Sequence, residues 1–348
     1  MIALRKGGIP AYYIAFISFF FIVKYIALFP ILLFALFLQS ASILSPSSHF
    51  TVLTYNCENA FDTLDAPDFQ DEDFLPQGRL HWSHFRFVQK MQRIAQVFLA
   101  ADTLKPLDIG ILQEIESDSC LIYLTQETPI ASIDYQYLKT TSRDARGINV
   151  AIVYRPNSFQ YISHESIGIP DSILTVHHWT PTRDILHAWG RIPSGDTLHV
   201  FAVHLPSRLG RVEAQQKRNY LLALLAQHIN HVQHLFPRAH ILLAGDFNSA
   251  PSSSDILQFA KQCTALNNLV ENKALGSYKY QGIWEWIDQV WVSQTLAELS
   301  TSVHTLTSPF LLESDPIFGG TRPFRTFIGP SYHAGYSDHL PVVYRFPL

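Results

Sequence analysis

Leu242-Leu243-Ala244-Gly245-Asp246-Phe247-Asn248-Ser249 is the stretch on which the reading of this chain turns. The aliphatic run 241–244 is short and bounded by breakers, which predicts a buried strand. Gly245 ends it, and Asp246 and Asn248 follow one residue apart. In an extended segment the side chains at i and i+2 point to the same side. A pure acceptor and a donor/acceptor therefore face one point. A carboxylate there can orient or deprotonate water, and an amide can hold an anionic oxygen. Gly, Asp, Asn, Ser and the following Pro251 are also turn formers, so this segment alone reads equally well as a turn.

The rest of the chain repeats the pattern. Val52-Leu53-Thr54-Tyr55-Asn56-Cys57-Glu58-Asn59 is a strand ending in polar groups, and Ile109-Gly110-Ile111-Leu112-Gln113-Glu114 ends in an acid. Val200-Phe201-Ala202-Val203-His204 delivers a histidine, with Arg208 four residues on. Trp286-Ile287-Asp288-Gln289-Val290-Trp291-Val292 buries an acid in an apolar run. Tyr336-Ser337-Asp338-His339 leads into the apolar Leu340-Pro341-Val342-Val343. Buried polar groups need partners, so strands that all deliver polar groups near an end are better explained by one shared site than by turn chemistry.

These elements together resemble the endonuclease/exonuclease/phosphatase superfamily. Its members include metal-dependent phosphoesterases similar to pancreatic-type deoxyribonuclease, abasic-site endonucleases, bacterial sphingomyelinases and inositol-polyphosphate 5-phosphatases. The resemblance runs over residues 51–346, in the order Asn, Glu, His, Asp-x-Asn, Asp, Asp-His. Gly-Asp-Phe-Asn and Ser-Asp-His are specific when found together and weak alone. The resemblance implies an α/β fold, a four-layer sandwich of two packed mixed β-sheets flanked by helices. It implies Glu114 as the principal metal ligand, Asn56 holding that metal or the phosphate, and Asp338 close to the metal. Glu58 stands where some members carry a second acid. Asp246 would activate the attacking water and Asn248 contact the phosphate. His204 and His339 would flank the scissile phosphate, Asp288 orienting His339. The loop 144–147 is the nearby candidate for an acid that orients His204.

The residue chemistry points the same way. Carboxylate and amide oxygens suit a hard cation, magnesium first and manganese or calcium as substitutes. The cysteines, Cys57, Cys120 and Cys263, are far apart and odd in number, with no zinc spacing, and read as buried thiols rather than a disulfide framework. A histidine beside a carboxylate has its protonated form favoured, which suits His339 with Asp288 as a cationic phosphate binder. His228, His231 and His234 recur every third residue and drift around a helix, which reads as a solvated face.

Arg5 and Lys6 precede an apolar stretch, about 11–38, interrupted by Ser18, Lys24 and Pro30. It is long enough to span a bilayer. Residues 1–45 are therefore expected to be a signal segment, with Gln39-Ser40-Ala41-Ser42 offering small residues for cleavage, or an uncleaved membrane anchor. Either form exports the domain expected over 46–348, to the periplasm, the cell exterior or the outward membrane face. Removing Arg5, Lys6 and Lys24 from the 25 basic residues leaves 22 against 29 acidic ones, a net of −7. No overall basic grip on nucleic acid exists, although a metal and a local arginine cluster suffice for a nuclease.

Elsewhere, positions 83–101 and 212–236 read as helices, the second ending before Pro237, and 148–154 as a central strand. The loop 62–82 reads as a solvated acidic loop. The loop 308–335 carries Arg322-Pro323-Phe324-Arg325, which can grip phosphate or stack on a base. Arg325 and Arg208 are thus candidate phosphate contacts. The leading function is an exported, monomeric, metal-dependent phosphodiesterase acting on DNA or RNA. A phospholipid or phosphoinositide substrate is the same-chemistry alternative, and an inactive binding domain the alternative of another class.

Overall fold

In the computed structural model, residues 49–208, 212–270, 275–299 and 301–348 are described. The segment expected as a signal or anchor lies outside them. Among the described residues no helix is long and apolar enough to cross a membrane.

Period-2 alternation builds two six-stranded sheets. The strands of the first are β1 (His49–Ala60), β2 (Ile109–Ile115), β3 (Gln136–Lys139), β4 (Asn149–Tyr154), β13 (Ser302–Thr305) and β18 (Val342–Pro347). They lie in the order β13-β18-β1-β2-β4-β3. The second holds β5 (Gln160–Ile167), β6 (Ile185–Arg191), β7 (Thr197–His204), β8 (His240–Asp246), β9 (Leu266–Asn268) and β12 (Asp288–Ser293), in the order β5-β6-β7-β8-β12-β9. β1–β2 and β7–β8 pair in parallel and the other neighbours antiparallel, so both sheets are mixed. Three small hairpins complete the strands: β10 (Tyr278–Tyr280) with β11 (Ile283–Glu285), β14 (Leu312–Ser314) with β15 (Thr321–Pro323), and β16 (Phe327–Ile328) with β17 (Ser331–Tyr332). The last two fold up the long 308–335 loop.

Alternate residues of one strand serve different cores. Val52, Ile111 and Ile152 face Val200, Leu242 and Val290 between the sheets. Their neighbours Leu53, Leu112 and Val153 face outward against α1 (His84–Ala101) and α2 (Asp118–Gln126), meeting Met91, Ile94, Phe98 and Leu121. Phe201, Val203, Ile241 and Leu243 face α4 (Val212–Leu235) and α5 (Ser254–Gln262), meeting Leu221, Leu225, Ile229 and Phe259. The short helices α3 (Asp171–His177) and α6 (Gln294–Ala297) lie in connections. Helices thus cover both outer faces, and the four layers are those the sequence leads one to expect. The helices at 83–101 and 212–236 and the strand at 148–154 form within a residue of their expected ends.

Two glycines make this packing fit. A Cβ on Gly110 would lie 2.4 Å from the ring of Phe98, so its absence lets α1 settle on β2. Gly245 has φ +144°, and a Cβ there would stand 2.0 Å from the carbonyl oxygen of Val203. It permits β7 and β8 to pair closely just before the polar residues that end both strands.

One expectation needs correcting here. The acidic loop 62–82 is not simply solvated. Asp62 and Asp71 are buried, accepting the backbone N–H groups of Leu64 and Ala66 at 2.7 and 3.0 Å. Their carboxylates shape the loop rather than face water. The three cysteines are free and buried, as expected.

Candidate active site

Register, more than sequence, assembles the site. His204 of β7 is paired with Asp246 of β8, and Asp246 with Asp288 of β12, so three polar residues form one row across the second sheet. From the first sheet, β1 contributes Asn56 and Glu58, and β2 contributes Glu114. The β1–β2 register shifts between Asn56 and Ala60, and the β2–β4 register between Gln113 and Ile115. Glu58, Asn59 and Glu114 have φ of 48°, 56° and 62° there, and Asn248 has 50°. Left-handed backbone costs a non-glycine residue about 1–3 kcal/mol and persists only where the surroundings enforce it. Bulged strand ends of this kind re-aim side chains.

These residues line one cavity of about 390 Å³. Asn56, Glu58, Glu114, His204, Asp246, Asn248, Arg325, Asp338 and His339 all face it. Asp288 stands behind His339, fully buried. The focus is the Asp246 carboxylate. Asn56 Nδ2 donates to its Oδ2 at 3.1 Å, and the Nε2 atoms of His204 and His339 stand 3.6 and 4.0 Å from the same oxygen. The Asn248 N–H donates to Oδ1 at 2.7 Å. Burial, then the charge of Asp288, pushes the Asp246 carboxyl up to about 7 against these stabilising contacts. A base poised near neutrality suits proton abstraction from water.

The two histidines are held in opposite states. His339 Nδ1 meets Asp288 Oδ2 at 2.7 Å, and the Ser277 hydroxyl donates to that oxygen at 2.6 Å. Burial opposes a charge on His339, but Asp288, Asp338 and Asp246 outweigh it and hold its pKa well above the usual range. His204 is pushed well below, by burial first and then by the charges of Arg183, Arg146 and His339. Its Nε2 lies 3.9 Å from Glu114 Oε1.

The expected orienting acid for His204 is not there. Asp144 Oδ2 accepts from Arg183 at 3.0 Å, and its Oδ1 lies 3.7 Å from Arg146, while His204 Nδ1 has no hydrogen-bond partner among the described residues. The 144–147 loop serves instead to place two arginines at the cavity wall. Arg208 is a second correction. It does not line the cavity, because Glu285 holds its guanidinium. Arg325 does line it, bonded to Asp338 Oδ2 at 2.9 Å and 3.7 Å from Glu58 Oε1.

The sequence reading missed Arg146, Arg183, Tyr278 and Lys90. Arg146 carried a signal, lying beside Gly147 in the loop already singled out. Arg183 and Tyr278 carried none, since each reaches the cavity from outside any polar strand end. Lys90 looks like an ordinary helix residue. It is fully buried, donating to Thr326 Oγ1 at 2.6 Å and to the Tyr336 carbonyl at 2.7 Å beneath Glu58.

The donor set fits a hard divalent cation. Glu58, Glu114, Asp338 and Asn56 offer oxygens only, and burial followed by the charge of Asp338 pushes the Glu58 carboxyl up to about 7. The Glu58–Asp338 repulsion is of a kind that a cation relieves. Glu114 Oε2 accepts the Asn59 N–H at 2.7 Å, which fixes the carboxylate while leaving Oε1 turned toward His204. Among the described residues, Asp246, Asp288 and His339 form the one group of acids and histidines whose ligand atoms all lie within 4.8 Å of one another, and the Glu58, Glu114 and Asp338 carboxylates are spread more widely. The His339–Asp288 hydrogen bond already occupies the inner edge of that trio, which reads as a carboxylate orienting and charging an imidazole rather than as a coordination shell.

Two packed mixed sheets with imidazoles, carboxylates and amides converging at their shared edge define the phosphoesterase class of α/β sandwich. The chain belongs to the Endonuclease/Exonuclease/phosphatase family, whose sequence profile matches residues 51–346. No curated protein matches the chain significantly. Among solved structures, it is similar to a humanized D. rerio TDP2, at 16% identity and TM-score 0.55 over 87% of this chain and 100% of that one. A Bacteroides thetaiotaomicron mannosyl-6-phosphatase aligns at 18% identity and TM-score 0.54, over 85% and 98%. The human nocturnin catalytic domain, solved with bound sulfate, aligns at 16% and 0.54, over 86% and 94%. Likeness at this identity shows the shared fold.

Proposed function

We propose that the protein is an exported, divalent-metal-dependent phosphodiesterase whose favoured substrate is nucleic acid. One observation carries the reading: Glu114, His204, Asp246, Asn248 and His339 converge on a single cavity with Asp246 at its focus. In this reading Glu114, Asp338 and Asn56 hold magnesium, with Glu58 beside them. The ion, when bound, neutralises phosphoryl charge and acidifies water. Asp246 takes the proton of the attacking water. The His339 imidazolium, charged by Asp288, donates Nε2–H to a phosphoryl oxygen as charge grows there, and Asn248 fixes the phosphate. His204 stays neutral and offers one N–H. Arg146 and Arg183 add positive charge at the wall, in place of the grip expected from Arg208.

Nucleic acid is favoured because a local arginine pair compensates a net-negative domain, and because a D. rerio TDP2 with single-strand DNA product is among the similar structures, at 16% identity and TM-score 0.54. A second reading, a phospholipid headgroup, has one observation in its favour. Tyr280, Ile283, Ile317 and Phe318 are exposed at the tips of the β10–β11 and β14–β15 hairpins, the first of which carries Tyr278 at the cavity. An apolar rim suits an amphiphilic phosphoester. A panel of plasmid DNA, RNA, sphingomyelin, inositol phosphates and a sugar phosphate, each assayed with magnesium, decides between them. Activity should vanish in excess EDTA and return with magnesium or manganese. Glu114→Gln should fold normally and lose most turnover. Full activity in EDTA would sink the metal assignment.

A further inference from the structure

Behind the arginine wall of the catalytic cavity lies a second cavity of about 280 Å³. The two abut, because Arg146, Arg183 and Ser207 line both. A water molecule's share of liquid volume is about 30 Å³, so a phosphate group fits there with ordered water to spare. The lining carries an excess of positive charge: three cations, Arg146, Arg183 and Lys217, stand against two acids, Asp144 and Glu213. Lys217 and Glu213 answer one another at 3.1 Å. Asp144 is left with two arginines. It accepts from Arg183 Nη1 at 3.0 Å and lies 3.7 Å from Arg146 Nε, beyond hydrogen-bond range. Arg183 is buried, its Nη2 donates to the Leu205 carbonyl at 2.8 Å, and its Nε has no partner among the described residues. One carboxylate cannot neutralise two guanidinium groups, and a charge withdrawn from water needs a counter-charge.

We propose that this cavity binds a second phosphate of the substrate, one linkage from the scissile one, so that the enzyme favours chains of phosphodiesters over isolated ones. The inference rests on the nucleic-acid reading above. The scissile phosphate lies among His204, Asp246 and His339, and the arginine pair stands between it and its neighbour. A guanidinium carries five N–H donors. Arg183 commits one nitrogen to Asp144 and one to Leu205, which fixes its plane in the shared wall. The Arg146 side chain is 43% exposed, and among the described residues its guanidinium makes no hydrogen bond, so it is free to close on an anion. A purely structural role for the Arg183–Asp144 pair would leave Arg146 without a task. The cavity also adjoins the first turn of α4, where Glu213 and Ala214 line it, and the positive end of a helix dipole favours an anion. In a net-negative domain, positive charge is thereby confined to the place where a phosphate chain leaves the catalytic centre.

The test compares the dinucleotide thymidylyl-thymidine with and without a terminal phosphate, placed on each end in turn. Hydrolysis is followed with magnesium, and binding is measured separately by equilibrium dialysis in EDTA. A phosphate on one end should lower both KM and Kd of the natural protein by about tenfold, the worth of one charge-assisted hydrogen bond. Lys217→Met removes a cation from the cavity and leaves Glu213 uncompensated. Ala214→Glu adds an acid to a helix first turn, where an acid does not disturb folding. Neither residue belongs to the catalytic centre. Both variants should therefore cleave the unphosphorylated dinucleotide as the natural protein does, and both should lose the advantage of the terminal phosphate. A Kd that no terminal phosphate improves, whether or not the dinucleotides are cleaved, would overturn the second site. So would an advantage that both variants keep. A phosphate-dependent Kd that both variants abolish, without cleavage of any dinucleotide, would support the site and refute the nuclease reading.

Discussion

At the scale of single residues, the site separates two chemically identical side chains by environment. His204 and His339 approach the same Asp246 oxygen, yet only His339 has a carboxylate on its far nitrogen. Asp288→Asn keeps the hydrogen-bond geometry and removes the charge that raises the His339 pKa. With the folded pKa lowered, His339 should lose its proton at a lower pH, so the alkaline limb of the kcat profile should shift toward acid. His339→Ala and His204→Ala should each lower turnover by about two orders of magnitude or more, as for groups that stabilise transition-state charge. A neutral Asp288→Asn beside an inactive His339→Ala would refute the pairing of Asp288 with His339. The motif residues were legible because they follow apolar strand-forming runs, or precede them, in the order the family resemblance carries. Arg146, Arg183 and Lys90 were not, since nothing local marks a residue whose role comes from a distant neighbour. Arg208 misled for the same reason: proximity in sequence to His204 could not reveal Glu285.

Among elements, the floor of the second sheet sets the precision of the site. Gly245→Ala would place a methyl against the Val203 carbonyl at φ +144°. Strained backbone of that kind costs about 1–3 kcal/mol before the clash is counted. The variant should show a lower denaturant midpoint and reduced kcat, because His204 and Asp246 are the next residues on the two strands. Beyond the ends of β7 and β8, Arg218 Nε donates to Asp255 Oδ2 at 2.7 Å and its Nη1 to the Pro206 carbonyl at 2.9 Å, while Ser249 donates to Asp255 at 2.8 Å. Both members of the pair are buried. Asp255→Asn strands a buried guanidinium and should cost about 3–5 kcal/mol in an unfolding titration. Burial raises the Asp255 pKa, but Arg218, Ser249 and the Ile256 N–H outweigh it, and the folded value lies below the ordinary one. The sign follows. This contribution is fully present above the unfolded carboxyl value, about pH 4, and is lost as pH falls through the depressed folded value. The natural protein should therefore lose stability at strongly acidic pH more steeply than Asp255→Asn.

For the whole molecule, the prediction concerns delivery. The basic residues Arg5 and Lys6 ahead of a long apolar run predict delivery to or across a membrane. Fractionation should find the domain in the periplasm, outside the cell or on the outward membrane face. Mass spectrometry of the mature protein should give a start near Ser42 for a cleaved signal or an intact Met1 for an anchor. Recovery of the full-length chain as a soluble cytoplasmic protein would contradict both forms.

The features legible from the chain alone are local and periodic. Alternating apolar strands, amphipathic helices and polar strand ends follow from side-chain spacing, so the elements and most cavity residues could be read directly, while the sandwich itself was implied by the family resemblance those residues carry. The tertiary structure decided what depends on register and burial. The row His204–Asp246–Asp288 and the bulges that turn Glu58 and Glu114 inward arise from strands paired across long separations, and the exchange of Arg208 for Arg146 and Arg183 arises from side-chain contacts with Glu285 and Asp144. The protonation states of His204 and His339 belong to the same category. A pKa is fixed by the charges and solvent around a group, and those neighbours come from every part of the chain.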